Sequence, residues 1–254
     1  MRARVFALAA GLGLLACGPD DGATSGEPAE NVIETALRVL PPDEEFRGKS
    51  LEDWAVEYMR WHYAWTSPQC LNAENDRDGS RCTFNQPEGS PVFFFASCDY
   101  SRSPDTVVSR TLCKVPADKA IMVPISFFGD DDAGLNEDEL RAPEEIEENV
   151  DELHETMRGL TLIADQKPVE DLSRYSVGPK AFDVTIGDAP NWHTCVAGMD
   201  AENTTISPSY FAGYFALIAP PTPGKHRLEY SSLYTYYDRD YHHRVSSLFE
   251  VTAR

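Results

Sequence analysis

The sequence predicts a mainly β protein, a β-sandwich of Ig-like or jelly-roll-like type, with an N-terminal Trp-rich amphipathic helix and one inserted acidic helix. Short apolar segments separated by Pro and Gly turns follow residue 90, which is typical of sandwiches. Residues 50–65 place five large apolar side chains on one helical face, and such a face requires a flat apolar cover. Residues 143–157 show helical spacing in an acidic background.

Residues 1–17 predict an export signal. Arg2 and Arg4 precede an apolar run, residues 5–15, that is too short to span a bilayer. The run ends in Leu-Leu-Ala-Cys at residues 14–17, which resembles the lipobox of bacterial lipoproteins. That resemblance implies that Cys17 is acylated through its sulfur and becomes the mature N-terminus. The alternative is an ordinary secretory peptide with a chance cysteine.

Acyl chains on Cys17 would anchor the protein in a membrane, because each buried CH₂ contributes about 0.8 kcal/mol to the free energy of membrane binding. The membrane is therefore an expected partner. Gly18, rather than an acidic residue, follows the cysteine, which by the lipoprotein rule favours the outer membrane in a Gram-negative host. Residues 18–35 are small, acidic and rich in Gly and Pro, which is typical of a flexible tether. Residues 36–254 contain no repeat or second linker, which predicts a single domain.

The charge of the chain excludes one class of partner. With 42 acidic and 22 basic residues, its formal net charge is −20. Such a field repels nucleic acid, so we expect no nucleic-acid binding. The runs of acid at 130–132, 136–139 and 144–152 are typical of a solvated face.

The order of elements follows from caps, periods and turns. Ser50 and Asp53 form a capping box, and Thr66-Ser67-Pro68 ends the first helix. Three phenylalanines in residues 91–97 predict a strand buried on both faces. Further strands are predicted at residues 106–115, 119–128, 160–164, 169–172, 182–186, 210–218, 226–231 and 245–251.

Several stretches together resemble a family of secreted bacterial proteins to which no activity is assigned. They are residues 48–50, 89–95, 110–119, 121–125 and 219–226, so the resemblance spans residues 48–251. Where that family usually carries a cysteine, this chain has Phe-Phe-Gly-Asp-Asp-Asp at 127–132. The resemblance implies a secreted protein and transfers no catalytic residue.

Five cysteines remain after Cys17, and an exported protein keeps disulfides. We favour a Cys82–Cys113 bond, whose loop of ~32 residues would stabilise the fold by roughly 3–4 kcal/mol. The other three compete for one further bond: Cys70, Cys98 and Cys195. Since no spacing is CxxC, metal knuckles and thioredoxin-type chemistry are disfavoured.

If the protein is an enzyme, its candidate nucleophile is Cys195. His193 and Cys195 would share a face of a strand, which allows a Cys–His pair. The alternative is a disulfide or a buried thiol beside a surface histidine. A GxSxG elbow, a P-loop and an HExxH motif are all absent, and we predict no cofactor.

Two acidic stretches imitate calcium sites. Residues 74–79 resemble the start of a calcium loop, but the twelfth position is Asn85 instead of glutamate, so a polar turn is favoured. The run at 130–132 has the charge but no recognisable spacing.

Residues 230–243 are unusually rich in tyrosine. Tyr236, Tyr237 and Tyr241 could stack and hydrogen-bond a sugar, and His242 and His243 with an aspartate could hold a metal. The alternative is a cross-strand aromatic ladder.

The sequence therefore favours a structural or binding, non-catalytic lipoprotein of the cell envelope that contacts an envelope glycan or protein. The second hypothesis is a carbohydrate-binding module that uses the tyrosine-rich segment. The third is an envelope enzyme that uses Cys195 with His193, or a metal at His242 and His243.

Overall fold

This computed structural model describes residues 36–67, 69–70, 73, 76–97, 105–236 and 238–253. These residues form ten strands, two α-helices, a 3₁₀ turn at Leu172–Tyr175 and a π-helical turn at His193–Ala197. The helices are α1 (Leu51–Ala64) and α2 (Pro143–Glu155). The strands are β1 (Val92–Phe94), β2 (Asp105–Arg110), β3 (Lys114–Pro116), β4 (Ala120–Asp130), β5 (Arg158–Ala164), β6 (Lys167–Pro168), β7 (Ser176–Ile186), β8 (Thr204–Ile218), β9 (Gly224–Tyr236) and β10 (Arg239–Thr252). They belong to one compact unit, Val32–Arg254.

Helix α1 begins at a reciprocal cap and ends where the chain becomes extended. Ser50 Oγ accepts from the Asp53 amide at 3.1 Å, and the Asp53 carboxylate accepts from the Ser50 amide at 3.0 Å. Tyr58 is fully buried on the apolar face, with its ring edge-on to Phe94 and Phe215. The apolar face of α1 therefore covers a sheet.

That first sheet has the order β1-β4-β8-β7 and contains one parallel pair, β1 with β4. Successive side chains of β8 point to opposite faces of this sheet, as they do in any strand. Phe211 and Phe215 lie on the α1 side, in contact with each other, whereas Tyr214 packs against His154 of α2. The sheet is thus covered on both sides.

The second sheet has the order β2-β10-β9-β5-β6, and β3 also pairs with β10. It meets the first sheet through ring contacts between Phe95 and Phe249, at 5.3 Å, and between Phe128 and Tyr236, at 5.8 Å. The layers are therefore α1, the first sheet, and a third layer to which the second sheet and α2 both contribute.

The prediction of a mainly β protein is confirmed, and the architecture consists of two mixed sheets. β2 and β3 both run parallel to β10, a pairing that antiparallel Ig sandwiches lack. The predicted strand at 106–115 is two strands, because the Thr111 and Leu112 amides donate to Asp78 O and leave the ladder. β9 and β10 extend through the tyrosine-rich segment, which is a regular hairpin.

Two disulfides bind the fold together. The favoured Cys82–Cys113 pair is confirmed, with Cα atoms 5.6 Å apart, and Cys70 bonds Cys195 with Cα atoms 5.5 Å apart. These bonds indicate an oxidising, extracytoplasmic compartment. Cys17, Cys98 and Tyr237 lie outside the described residues. Within the described chain, neither helix has the length and apolar character needed to cross a bilayer.

Candidate binding groove

An open groove separates the C-terminal half of α1 from the loop at residues 85–87. Arg60, Trp61 and Ala64 line its helical wall, at the steps of three and four that put side chains on one face. The groove measures about 500 Å³. Small-molecule sites typically occupy roughly 300–1,000 Å³, so this groove has the size of a ligand site.

The loop wall of the groove is held in place by side-chain hydrogen bonds. The Gln86 amide accepts from the Phe94 amide at 2.9 Å and donates to Phe94 O at 2.7 Å, so it pairs with β1 as another strand would. Trp61 Nε1 donates to Asn85 O at 2.8 Å and ties the helix to the loop. The nearby Cys82–Cys113 bond closes the same loop.

The chain beyond α1 forms the end of the groove. Trp65 and Thr66 line it, and Thr66 forms an isolated antiparallel bridge with Asn191. The Ser67 amide donates to Pro190 O at 2.8 Å, and the Cys70–Cys195 bond follows. Both walls are therefore fastened to the core, and the groove is preformed.

Charges in the groove are balanced. Arg60 Nη1 lies 3.5 Å from Glu57 Oε1, which also accepts from Lys49 Nζ at 3.0 Å. Arg60 Nε donates to Asp183 O at 3.2 Å. The groove therefore offers polar groups without a strong field of either sign.

A small cavity lies directly behind the groove. It has a volume of about 10 Å³ and shares Trp61, Trp65 and Asn85 with the groove. Phe84, Ala73 and the buried His62 complete its lining. Such a cavity has room for one water-sized group.

No family model, curated protein or solved structure matches this chain. Any inference about the function of this protein therefore rests on its own sequence and geometry.

The Cys195–His193 hypothesis loses its nucleophile. The sulfur of Cys195 is bonded to Cys70, so it carries no thiol in this structure. His193 is fully buried in a short π-helical turn rather than at the surface, and its Nε2 lies 3.2 Å from Asp131 Oδ2. Residues 193 and 195 therefore lie in a helical turn instead of the expected strand.

The histidines proposed as metal ligands lie on opposite faces of β10. His243 is buried on the inner face, whereas His242 contacts the exposed Arg244. Burial, reinforced by the neighbouring His242, lowers the pKa of His243 to about 3. Asp240 is engaged by Arg158 at 2.7 Å. Among the described residues, no group of three His, Cys, Asp or Glu side chains is arranged for a metal.

Two of the three candidate tyrosines lie close together within a ladder. Tyr241 stacks on Tyr234 with ring centroids 5.2 Å apart, and Tyr236 packs on Phe128 of the other sheet. Tyr236 and Tyr241 are themselves 6.4 Å apart. Both are half-buried, so their rings are shared between the hairpin and the sheet interface.

In both acidic stretches that imitate calcium sites, the carboxylates bind groups of the protein itself. The buried Asp76 carboxylate accepts from the amides of Gly79, at 3.2 Å, and Arg81, at 2.8 Å. Asp130 and Asp132 both form salt bridges with Arg141, and their oxygens lie 2.6 and 2.7 Å from its nitrogens. The hydrogen bond to Asp130 is the main reason that the pKa of Arg141 lies above its ordinary value.

Sequence reasoning missed the groove because its walls are far apart in the chain. Trp61 and Trp65 are buried, as the helical stripe predicts, although both also line the groove. The available signal was the composition of residues 85–87, Asn-Gln-Pro, in a polar segment. Only the fold brings that segment to the helix.

Proposed function

We propose that the protein is a lipid-anchored cell-envelope protein with a non-catalytic binding role, and that the groove is its recognition surface. The lipobox-like residues 14–17 support the anchor at Cys17. The two disulfides agree with an envelope location. An outer-membrane position is part of the same proposal.

The observation that carries this proposal is the preformed groove itself. Its walls are fastened by hydrogen bonds and two disulfides, so binding costs little ordering of the protein. Its lining combines two indole rings with amide, guanidinium and carboxylate groups, a mixture typical of ligand sites. Disulfide bonding of Cys195 and the opposed orientation of His242 and His243 favour binding over catalysis.

The test is retention of envelope material by full-length protein in detergent micelles. Ala64→Trp would fill the groove from an exposed helical position. Glu148→Trp adds the same ring to an exposed position on α2 and serves as the matched control. We expect Ala64→Trp to lose retention while its melting temperature is unchanged, and Glu148→Trp to behave as wild type. Equal retention by all three proteins would overturn the assignment of the groove.

A further inference from the structure

Thr66, the second residue after α1, forms an isolated antiparallel β-bridge with Asn191. The peptide groups of Asn191 are bonded elsewhere: its amide donates to Thr194 Oγ1 at 2.9 Å, and its carbonyl accepts from the Cys195 amide at 2.9 Å. Thr66 and Asn191 are therefore an antiparallel pair of the type that exchanges no hydrogen bonds directly. In such a pair, the amide and the carbonyl of Thr66 point away from Asn191.

The other edge of Thr66 faces the groove. On the Asn191 side, the Ser67 amide donates to Pro190 O at 2.8 Å. The lining of the groove comes from α1, the two residues after α1 and the loop at 85–87, so the groove lies on the opposite side of Thr66. Within the described part of the chain, neither the amide nor the carbonyl of Thr66 has a hydrogen-bond partner. The exposed Thr66 thus presents one donor and one acceptor as an unpaired strand edge does, and such an edge is a template for another strand.

The two walls of the groove suit a peptide beside Thr66. On the loop wall, Asn85 is exposed, and its side-chain amide carries the donor and the acceptor that complement a peptide group. On the helical wall, Ala64 contributes only a methyl group, which leaves room beside Thr66. A ligand with successive peptide groups therefore fits both walls.

The charge of the chain selects among peptides. A net charge of −20 attracts basic segments and repels acidic ones. In the groove, Glu57 and Arg60 lie 3.5 Å apart and balance each other, so the groove itself imposes no opposite preference. The fitting ligand is therefore an extended peptide with basic rather than acidic side chains.

We infer that the groove binds an extended, basic peptide segment of a partner protein, which pairs with Thr66 as an added β-strand. An amide of the segment donates to Thr66 O, and a carbonyl of the segment accepts from the Thr66 amide. Because these bonds involve only backbone atoms, recognition tolerates different side chains at the paired residue. This inference rests on the proposed function and names the ligand class of the same site.

Two peptides that differ only in backbone methylation test it. The probe is the N-acetylated, C-amidated pentapeptide Lys-Thr-Val-Thr-Lys, whose β-branched residues favour an extended chain. Its counterpart is N-methylated at the three central residues, which therefore cannot donate. We expect full-length protein in detergent micelles to bind the unmethylated probe about tenfold more tightly, the factor that one hydrogen bond supplies. Isothermal titration measures both affinities, and the amide ¹⁵N–¹H resonance of Thr66 should shift as the unmethylated probe is added.

Two variants of residue 66 separate its backbone from its side chain. Thr66→Pro removes the amide hydrogen, and the extended Trp65 before it, at a ψ of 145°, suits a following proline. Thr66→Val keeps the amide and the methyl group that packs toward Gly187, and it removes only the hydroxyl. We expect Thr66→Pro to lose about tenfold in affinity for the probe and Thr66→Val to bind as wild type does.

Equal binding of the two peptides by wild type, or a Thr66 resonance that does not move, would overturn the ligand class. The resonance decides even if Thr66→Pro fails to fold. If the same resonance moves with protein concentration in the absence of the probe, the occupant is a second copy of the chain and the proposed partner is wrong. If Ala64→Trp abolishes retention of envelope material while the probe does not bind, the groove function stands without this ligand.

Discussion

Asp131 Oδ2 lies 3.2 Å from His193 Nε2, and this pair is enclosed between the end of β4 and the π-helical turn. His193 is fully buried and Asp131 is 7% exposed. The adjacent Asp130 and Asp132 face Arg141 instead. One run of three aspartates therefore serves two purposes, and its middle residue fastens the turn that carries Cys195.

Asp131→Asn should destabilise the protein by about 1–3 kcal/mol, because it removes a charge-assisted acceptor from a buried partner. The midpoint of urea unfolding measures the change. Asp138→Asn, in the exposed part of the acidic segment, is the control and should leave the midpoint unaltered. An Asp131→Asn midpoint equal to that of wild type would show that the pair contributes nothing to stability.

Arg110→Met should cost at least about 3 kcal/mol, because it leaves buried carbonyls without donors. The Arg110 side chain is 2% exposed and donates to the carbonyl oxygens of Ala73, Asp76, Ala96 and Ser97. It thereby links Ala73 and Asp76 to Ala96 and Ser97.

The control for Arg110 is Arg239→Met, which changes an exposed arginine at the start of β10. Urea unfolding should show a large fall for the first variant and none for the second. Similar midpoints for the two variants would mean that the carbonyl network adds little.

Stability should depend on pH through His226 and Asp165. His226 Nδ1 lies 2.7 Å from Asp165 Oδ2 and Nε2 donates to Thr222 O at 2.9 Å, so both ring nitrogens face acceptors, which favours the protonated ring. Burial alone would lower the pKa of His226, but these bonds raise it above its ordinary value. Burial likewise opposes ionisation of Asp165, yet bonds from His226 and from the Arg227 and Leu37 amides lower its pKa.

The sign of each contribution follows from these directions. The raised pKa of His226 stabilises the fold fully below about 6.5, its value in the unfolded chain, and the gain is lost as the pH rises through the folded value. The lowered pKa of Asp165 stabilises the fold above about 3.9 and is lost as the pH falls. The contribution of the pair should therefore be greatest between about pH 4 and 6.5.

The measurement is the free energy of unfolding of wild type and His226→Gln at pH 5.5 and 8.5. The variant should lose most stability at the lower pH. Its free energy of unfolding should also change less between pH 5.5 and 8.5 than that of wild type. His242→Gln removes a histidine that is not held by a carboxylate and serves as the control. An equal loss at both pH values would contradict a protonated His226.

The alanine variant of Tyr236, Tyr237 and Tyr241 separates the ladder from a sugar-binding surface. Because Tyr241 stacks on Tyr234 and Tyr236 packs on Phe128, we expect a clear fall in melting temperature. Envelope retention by the remaining folded protein should persist. A variant that melts as wild type but no longer retains envelope material would return recognition to this hairpin.

Cys17→Ala should leave an unprocessed precursor, because the acyl acceptor of the lipobox-like sequence is removed. Wild type should partition into the detergent phase with membranes, as acyl chains anchor firmly. Recovery of wild type as a cleaved, soluble secreted protein would contradict the lipid anchor. The fractionation needs only an antibody to the folded domain.

The sequence by itself determined the features that depend on nearby residues. The Ser50–Asp53 cap spans three residues, and the Cys82–Cys113 bond spans 31. Helical spacing and turn residues likewise act over a few positions, so the mainly β class and α1 could be predicted from periodicity.

Only the tertiary structure decided which distant elements meet. β2 and β3 pair in parallel with β10, whose residues lie more than a hundred positions away, and no local pattern sets that register. The same packing turns Asp131 inward while its neighbours face Arg141, and it brings residues 85–87 to Trp61 and Trp65. The sequence specifies which side chains are present. Burial and hydrogen bonds between remote segments decide which of them come together in a site.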